Sequence, residues 1–158
     1  AVRRELGDGR LDCVRLHEIA VSDRSGPVEM RLSRRLDGGA YSVSSTICEP
    51  LPAMADGFPW LSLEERATVE CVTLDAFAPA HGIEAVELLW CDVEGAERQV
   101  IEGGRKTLER TRWAFVEVWD RPLFAGQWVR ADMLAALPGW RVEAEIENNL
   151  LLRNEASP

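Results

Sequence analysis

Val86-Glu87-Leu88-Leu89-Trp90-Cys91-Asp92-Val93-Glu94-Gly95-Ala96-Glu97 is an apolar run that breaks at Asp92 into three acids around one glycine. A nearly continuous apolar run of this length reads as a strand covered on both faces, as in a parallel sheet. Beyond it, Val100, Ile101 and Leu108 recur among charged residues, which predicts an amphipathic helix over 96–110, kinked near Gly103-Gly104. The acids therefore fall in a strand-to-helix loop at the carboxyl edge of a sheet, where open α/β folds bind their ligands.

On the amino-terminal side, Val2 to Leu6 reads as helix, Gly7-Asp8-Gly9 as a turn and Leu11 to Val21 as a strand. A polar turn at Ser22 to Gly26 leads to a short strand over Val28 to Leu32, and the two strands are expected to pair as a hairpin-like extension. From Ser33 to Arg66 the composition loosens into glycines, serines and prolines, with Tyr41, Phe58 and Trp60 among them. This predicts a long loop, read as a partly ordered lid or substrate-facing segment. Thr68 to Val72 returns to strand, and Thr73 is placed to cap a short helix that ends near Gly82.

On the carboxyl side, Trp113 to Trp119 is a second apolar strand bearing an acid, Glu117, near its end. Val129 to Leu137 reads as a helix stopped by Pro138-Gly139, and strands at Trp140 to Ile146 and Asn149 to Leu152 are joined by Glu147-Asn148. Alternating strands and helices followed by a strand pair give an α/β fold. The expected architecture is a single domain over 1–158 with a mostly parallel sheet and an antiparallel carboxyl-terminal edge.

The chain has 158 residues and 46% hydrophobic content, enough for a globular core. Its net charge of -9 argues against binding a nucleic-acid backbone, which needs concentrated basic surface. The longest apolar runs are too short to cross a bilayer, so a soluble cytoplasmic protein with no membrane partner is expected. Cys13, Cys48, Cys71 and Cys91 are widely spaced, without a Cys-x-x-Cys pair or neighbouring histidines. Neither a zinc site nor a disulfide framework follows from them, and reduced thiols are expected.

Asp92 ends a strand at the ligand crevice, Glu94 follows in the loop, and Glu97 sits where a helix N-terminus favours an acid. Glu117, at the end of the next strand, falls beside Asp92 if the two strands are adjacent and parallel. Such a pair can hold a metal, act as a general base, or bind ribose or amine groups of a ligand. Glu94 is the obvious third oxygen donor for a metal. His17 and His81 belong to no metal or triad spacing, and no Walker loop or Gly-x-Gly-x-x-Gly occurs anywhere.

Taken together, Ile19-Ala20-Val21-Ser22-Asp23 with Gly26, Thr73-Leu74-Asp75, Cys91-Asp92-Val93-Glu94-Gly95-Ala96-Glu97, Glu102-Gly103-Gly104 with Thr107-Leu108, and Val116-Glu117-Val118 resemble the FkbM family of S-adenosylmethionine-dependent methyltransferases. The resemblance covers nearly the whole chain in the family's order, and the Asp-Val-Glu-Gly-Ala-Glu block is its most specific element. It implies a Rossmann-like methyltransferase domain that transfers the methyl of S-adenosylmethionine to a hydroxyl of a small molecule or sugar. In that picture Glu18, Ile19 and Ala20 lie near the adenine, Asp92 faces donor and acceptor, and Glu94 and Glu117 line the acceptor side as catalytic candidates. No metal is implied.

The resemblance also implies a strand with a glycine-rich loop and a strand with a ribose-binding acid ahead of the opening helix. Neither is found in these residues, and truncation is the expected reason, a degenerate remnant being the alternative. Two other functions compete with methyl transfer: a non-catalytic α/β interaction module that uses the tryptophan-bearing loop, and metal-assisted hydrolysis by Asp92, Glu94 and Glu117. Trp119, Phe124 and Trp128 either line an acceptor pocket or belong to the core. The acceptor and the oligomeric state are not specified by the sequence.

Overall fold

A computed structural model describes residues 14–38 and 44–156. The helix expected at Val2 to Leu6, the turn at Gly7-Asp8-Gly9, the start of the first strand with Cys13, and Gly39, Tyr41 and Ser42 lie outside the described residues. In chain order the elements are β1 (Ala20–Val21), β2 (Gly26–Arg35), α1 (Pro52–Gly57), β3 (Leu61–Val72), α2 (Leu74–Ala80), β4 (Val86–Cys91), α3 (Glu97–Glu102), α4 (Arg105–Glu109), β5 (Thr111–Glu117), α5 (Arg130–Ala136), β6 (Trp140–Ile146) and β7 (Asn149–Asn154).

These elements build two mixed sheets, ordered β1-β3-β2 and β4-β5-β7-β6. Only β1 with β3 and β4 with β5 run parallel, while β2 with β3, β5 with β7 and β6 with β7 are antiparallel. The mostly parallel sheet expected from the alternation is thus corrected to a mixed one. The antiparallel carboxyl-terminal edge is present. The turn at Glu147, which adopts φ 53, returns the chain so that β7 inserts between β5 and β6.

Two further expectations are revised in the first sheet. β1 and β2 do not pair as a hairpin, because β3 lies between them, with Cys71 opposite both Ala20 and Gly26. The first strand shrinks to Ala20–Val21, and residues 14–19 carry no regular structure. The stretch 33–66 is not one long loop, since β2 runs on to Arg35, α1 occupies 52–57 and β3 begins at Leu61. The run Glu64-Glu65-Arg66 hides β3 in the sequence. Its charges are solvent-exposed, and Arg66 pairs with Glu29 across the ladder at 3.4 Å.

Alternation decides what each strand buries. Cys91 of β4, Ala114 and Val116 of β5, and Leu150 and Leu152 of β7 share a face with Val100, Ile101, Leu108, Met133 and Leu137 from α3, α4 and α5. Each large aliphatic side chain withdrawn from water in this way stabilises the fold by about 1.5–3 kcal/mol. The opposite face of β4 is open, with Trp90 67% exposed and its ring 4.8 Å from that of Phe115. The expectation that β4 is covered on both faces is therefore corrected: helices of the described residues cover one face only.

Hydrogen bonds to helix ends fix the loops that matter below. Thr73 caps α2 as expected, its hydroxyl accepting from the Ala76 N–H at 3.1 Å. Gly103-Gly104 divides the expected kinked helix into α3 and α4. Asp75 reaches the start of α4, accepting from the Lys106 N–H at 3.1 Å and from the Thr107 N–H and hydroxyl at 2.8 Å. Thr73-Leu74-Asp75 and Glu102-Gly103-Gly104 are thus two halves of one junction.

Candidate functional site

The acids meet where β4 and β5 end. Because Cys91 lies opposite Val116 in a parallel ladder, the next residues, Asp92 and Glu117, leave neighbouring strand ends together. This is the juxtaposition expected from the sequence. Asp92 is exposed, whereas Glu94 and Glu117 are half-buried and Glu97 is buried.

The loop after Asp92 is tightly specified. Glu94 takes φ 53 and Gly95 φ 93, two successive left-handed residues that turn the chain into α3. The Glu97 carboxylate reaches back under this turn and accepts from the Val93 N–H at 3.0 Å and the Gly95 N–H at 3.3 Å. Glu97 therefore holds the loop, a structural task, as expected of an acid in a first helical turn.

Burial sets the protonation of these groups. It pushes the Glu117 carboxyl up to about 7, helped by the negative charges of Asp92 and Glu94 and opposed by the Trp119 side chain. Glu97 is likewise pushed up to about 7, mainly by burial and against the backbone N–H groups that it accepts from. Glu94 is raised by burial and by Asp92 and Glu97, with Ser44 opposing. The Cys91 thiol is driven far up by burial, so it is no nucleophile. Cys48, Cys71 and Cys91 are free and buried, as reduced core thiols should be.

Ile19, Ala20, Val21, Asp92, Val93 and Ala96 line one cavity of about 220 Å³, together with Met30, Thr46 and Ile47. The first sheet's β1 edge and the acid loop thus form opposite parts of one wall. Glu18 stands apart, facing an open depression with Leu16, His17 and Ile19. Among the described residues, no group of three or more His, Cys, Asp and Glu side chains is arranged to hold a metal ion. Asp92, Glu94 and Glu117 do not close into a metal cage.

The aromatic candidates separate. Phe124 is 1% exposed and belongs to the core, which decides between the two places open to it. Trp128 packs partly buried against the core of the second sheet. Trp119 contacts Phe58 edge-on at 6.0 Å, and Phe58 in turn contacts Trp60 at 5.9 Å, making an aromatic wall beside Glu117. His17 and His81, distant in sequence, lie 4.6 Å apart beside Phe77.

Thr46 is a residue that sequence reasoning misses, because it follows a pair of serines in a stretch that reads as loop. It is 1% exposed, and its hydroxyl donates to the Glu94 carbonyl at 2.6 Å. The accumulation of hydroxyl residues at 44–46 is the only sequence signal that points to it.

No helix among the described residues is long and apolar enough to cross a membrane. Residues 9–143 match the family model described as the methyltransferase FkbM domain. The chain is similar to the 2-O-methyltransferase NoeI of Sinorhizobium fredii, with 36% identity over 160 residues covering 98% of this chain and 65% of that protein. It therefore spans just under two thirds of that relative's length. No solved structure matches the chain significantly.

Proposed function

The chain belongs to the FkbM methyltransferase family, and from that membership we propose that the protein is an S-adenosylmethionine-dependent O-methyltransferase acting on a hydroxyl of a small molecule or sugar. The observation that carries this reading is the shared cavity of Ile19, Ala20, Val21 and Asp92, with Glu117 at the adjoining strand end. The name of the relative, a 2-O-methyltransferase, supports oxygen as the atom methylated.

The lining supports part of what this cofactor requires. Ile19, Ala20, Val21, Val93 and Ala96 offer apolar walls to a ring and a methyl group, and Asp92 offers a negative charge to a cation. Ile19 and Ala20 would hold the base, with Glu18 at the outer rim, and Asp92 would face the charged end. When bound, the cofactor supplies a methyl group carried on a sulfonium.

Glu117 is the proton acceptor in this reading. A carboxylate with a pKa of about 7 is half ionised at neutral pH and takes a proton more readily than an ordinary glutamate. Asp92 and Glu94 orient the acceptor hydroxyl by accepting hydrogen bonds from it or its neighbours. Orientation of the hydroxyl at the methyl donor then contributes through proximity.

Calorimetric titration with S-adenosylmethionine, followed by transfer of a labelled methyl group to a panel of hydroxyl acceptors, tests the proposal. The full-length protein is used. Saturable binding and label on oxygen are expected. Absence of both would remove the methyltransferase reading and leave the non-catalytic module.

A further inference from the structure

We infer that Thr46 is a positioning residue for the acid loop: its buried hydroxyl fixes the left-handed turn at Glu94 and so holds the loop that places Asp92 at the cavity. Its effect on rate rests on the methyl-transfer reading, whereas its effect on the loop does not.

The geometry leaves the hydroxyl no freedom. Thr46 donates to the Glu94 carbonyl at 2.6 Å and accepts from the Cys48 N–H at 2.9 Å. Cys48 is buried as well, so its N–H has no water to replace the bond. The Thr46 backbone is itself fixed, exchanging bonds with Arg31 of β2 at 2.7 and 3.0 Å. An immobile donor thus faces the carbonyl of a non-glycine residue at φ 53, a conformation that side-chain-bearing residues avoid unless their surroundings impose it.

The loop is held from both sides. Thr46 grips the carbonyl of residue 94, while Glu97 accepts the N–H groups of residues 93 and 95. Ser44 acts on the same residue from the same segment, opposing the rise in the Glu94 pKa. Thr46 also lines the cavity shared by Ile19 and Asp92. Segment 44–48 therefore connects the sheet that carries one wall of the cavity to the loop that carries the acids.

The test compares Thr46→Val, which keeps the shape and removes the donor, with Thr46→Ser, which keeps the donor. Amide hydrogen exchange of Val93 and Gly95 should accelerate at least tenfold in Thr46→Val and stay near the wild-type rate in Thr46→Ser. In the transfer assay Thr46→Val should lower kcat at least tenfold with KM little changed, and Thr46→Ser should restore it. Wild-type exchange in Thr46→Val, or equal losses in both variants, overturns the inference. If Thr46→Val does not fold, Thr46→Ser is compared with Thr46→Cys, whose thiol donates weakly, and equal exchange in those two overturns it. A wild-type protein without transfer activity removes the methyltransferase reading alone, and exchange then decides the role of Thr46.

Discussion

Phe124 closes over Gly95: a Cβ built on the glycine would stand 2.6 Å from the Phe124 Cγ and 2.9 Å from its Cβ. Gly95 also takes φ 93, so an alanine there would be strained twice, by backbone and by overpacking. Gly95→Ala is expected to destabilise the fold by about 2–4 kcal/mol, summing the two effects. Urea unfolding measures it. Measured in a Phe124→Ala background, which removes the Cγ that a new Cβ would meet, Gly95→Ala should cost less but still destabilise; no cost there would show that the left-handed backbone costs nothing.

Asp75 joins α2 to α4 through three bonds to Lys106 and Thr107. Asp75→Ala should cost about 1–2 kcal/mol, the loss typical of a helix cap. Burial acts to raise its pKa, but the bonds from residues 106 and 107 outweigh it and hold the carboxyl below its ordinary value. A lowered folded pKa means that the contribution is present above the ordinary carboxylate pKa and is lost as pH falls through the folded one. Thermal unfolding of wild type and Asp75→Ala should therefore converge in acid. A gap that persists at pH 2 would rule out the carboxylate as its source.

Much of this junction was legible as pattern and not as cause. The acid run at 92–97 placed β4, its turn and α3 correctly, because hydrophobicity switches abruptly there. Thr73-Leu74-Asp75 and Glu102-Gly103-Gly104 were visible as separate motifs, yet the bonds joining them span about thirty residues and leave no periodic trace. The solvated charges of β3 imitate a loop and hide its first half, and local sequence cannot show a third strand entering between two neighbours. Asp92 and Glu117 were legible as a pair because adjacent parallel strands end together. Thr46 and Phe124 were not, since both act through contacts made only in the folded chain.

Glu97 and Glu117 together set the pH dependence of stability. Each has an ordinary value of 4.5 raised to about 7 in the fold, chiefly by burial. A raised folded pKa contributes stability that is full below about 4.5 and lost as pH rises through about 7. Glu97→Gln keeps an oxygen to accept from Val93 and Gly95 but removes the titration. It should unfold like wild type near pH 4.5 and be more stable by about 1–3 kcal/mol at pH 8. A variant less stable than wild type at pH 8 would mean that the ionised Glu97 is needed to hold the loop.

Asp92 and Glu117 are both expected to act on rate, and Asp92 to do so without a role in folding. Asp92 is exposed, so Asp92→Asn should leave thermal stability nearly unchanged while lowering transfer by a factor of about 100 or more, the scale of a lost positioned carboxylate. Its charge also raises the Glu117 pKa, and removing it lets Glu117 ionise in a more acidic range. The rising limb of rate against pH that this reading expects near pH 7 in wild type should therefore move to lower pH in Asp92→Asn. Glu117→Gln should abolish that limb and lower the rate by about 100- to 10,000-fold. An Asp92→Asn profile with full rate would remove Asp92 from the mechanism. A limb that survives in Glu117→Gln would assign the proton to another group, Glu94 being the next raised carboxyl in the cluster.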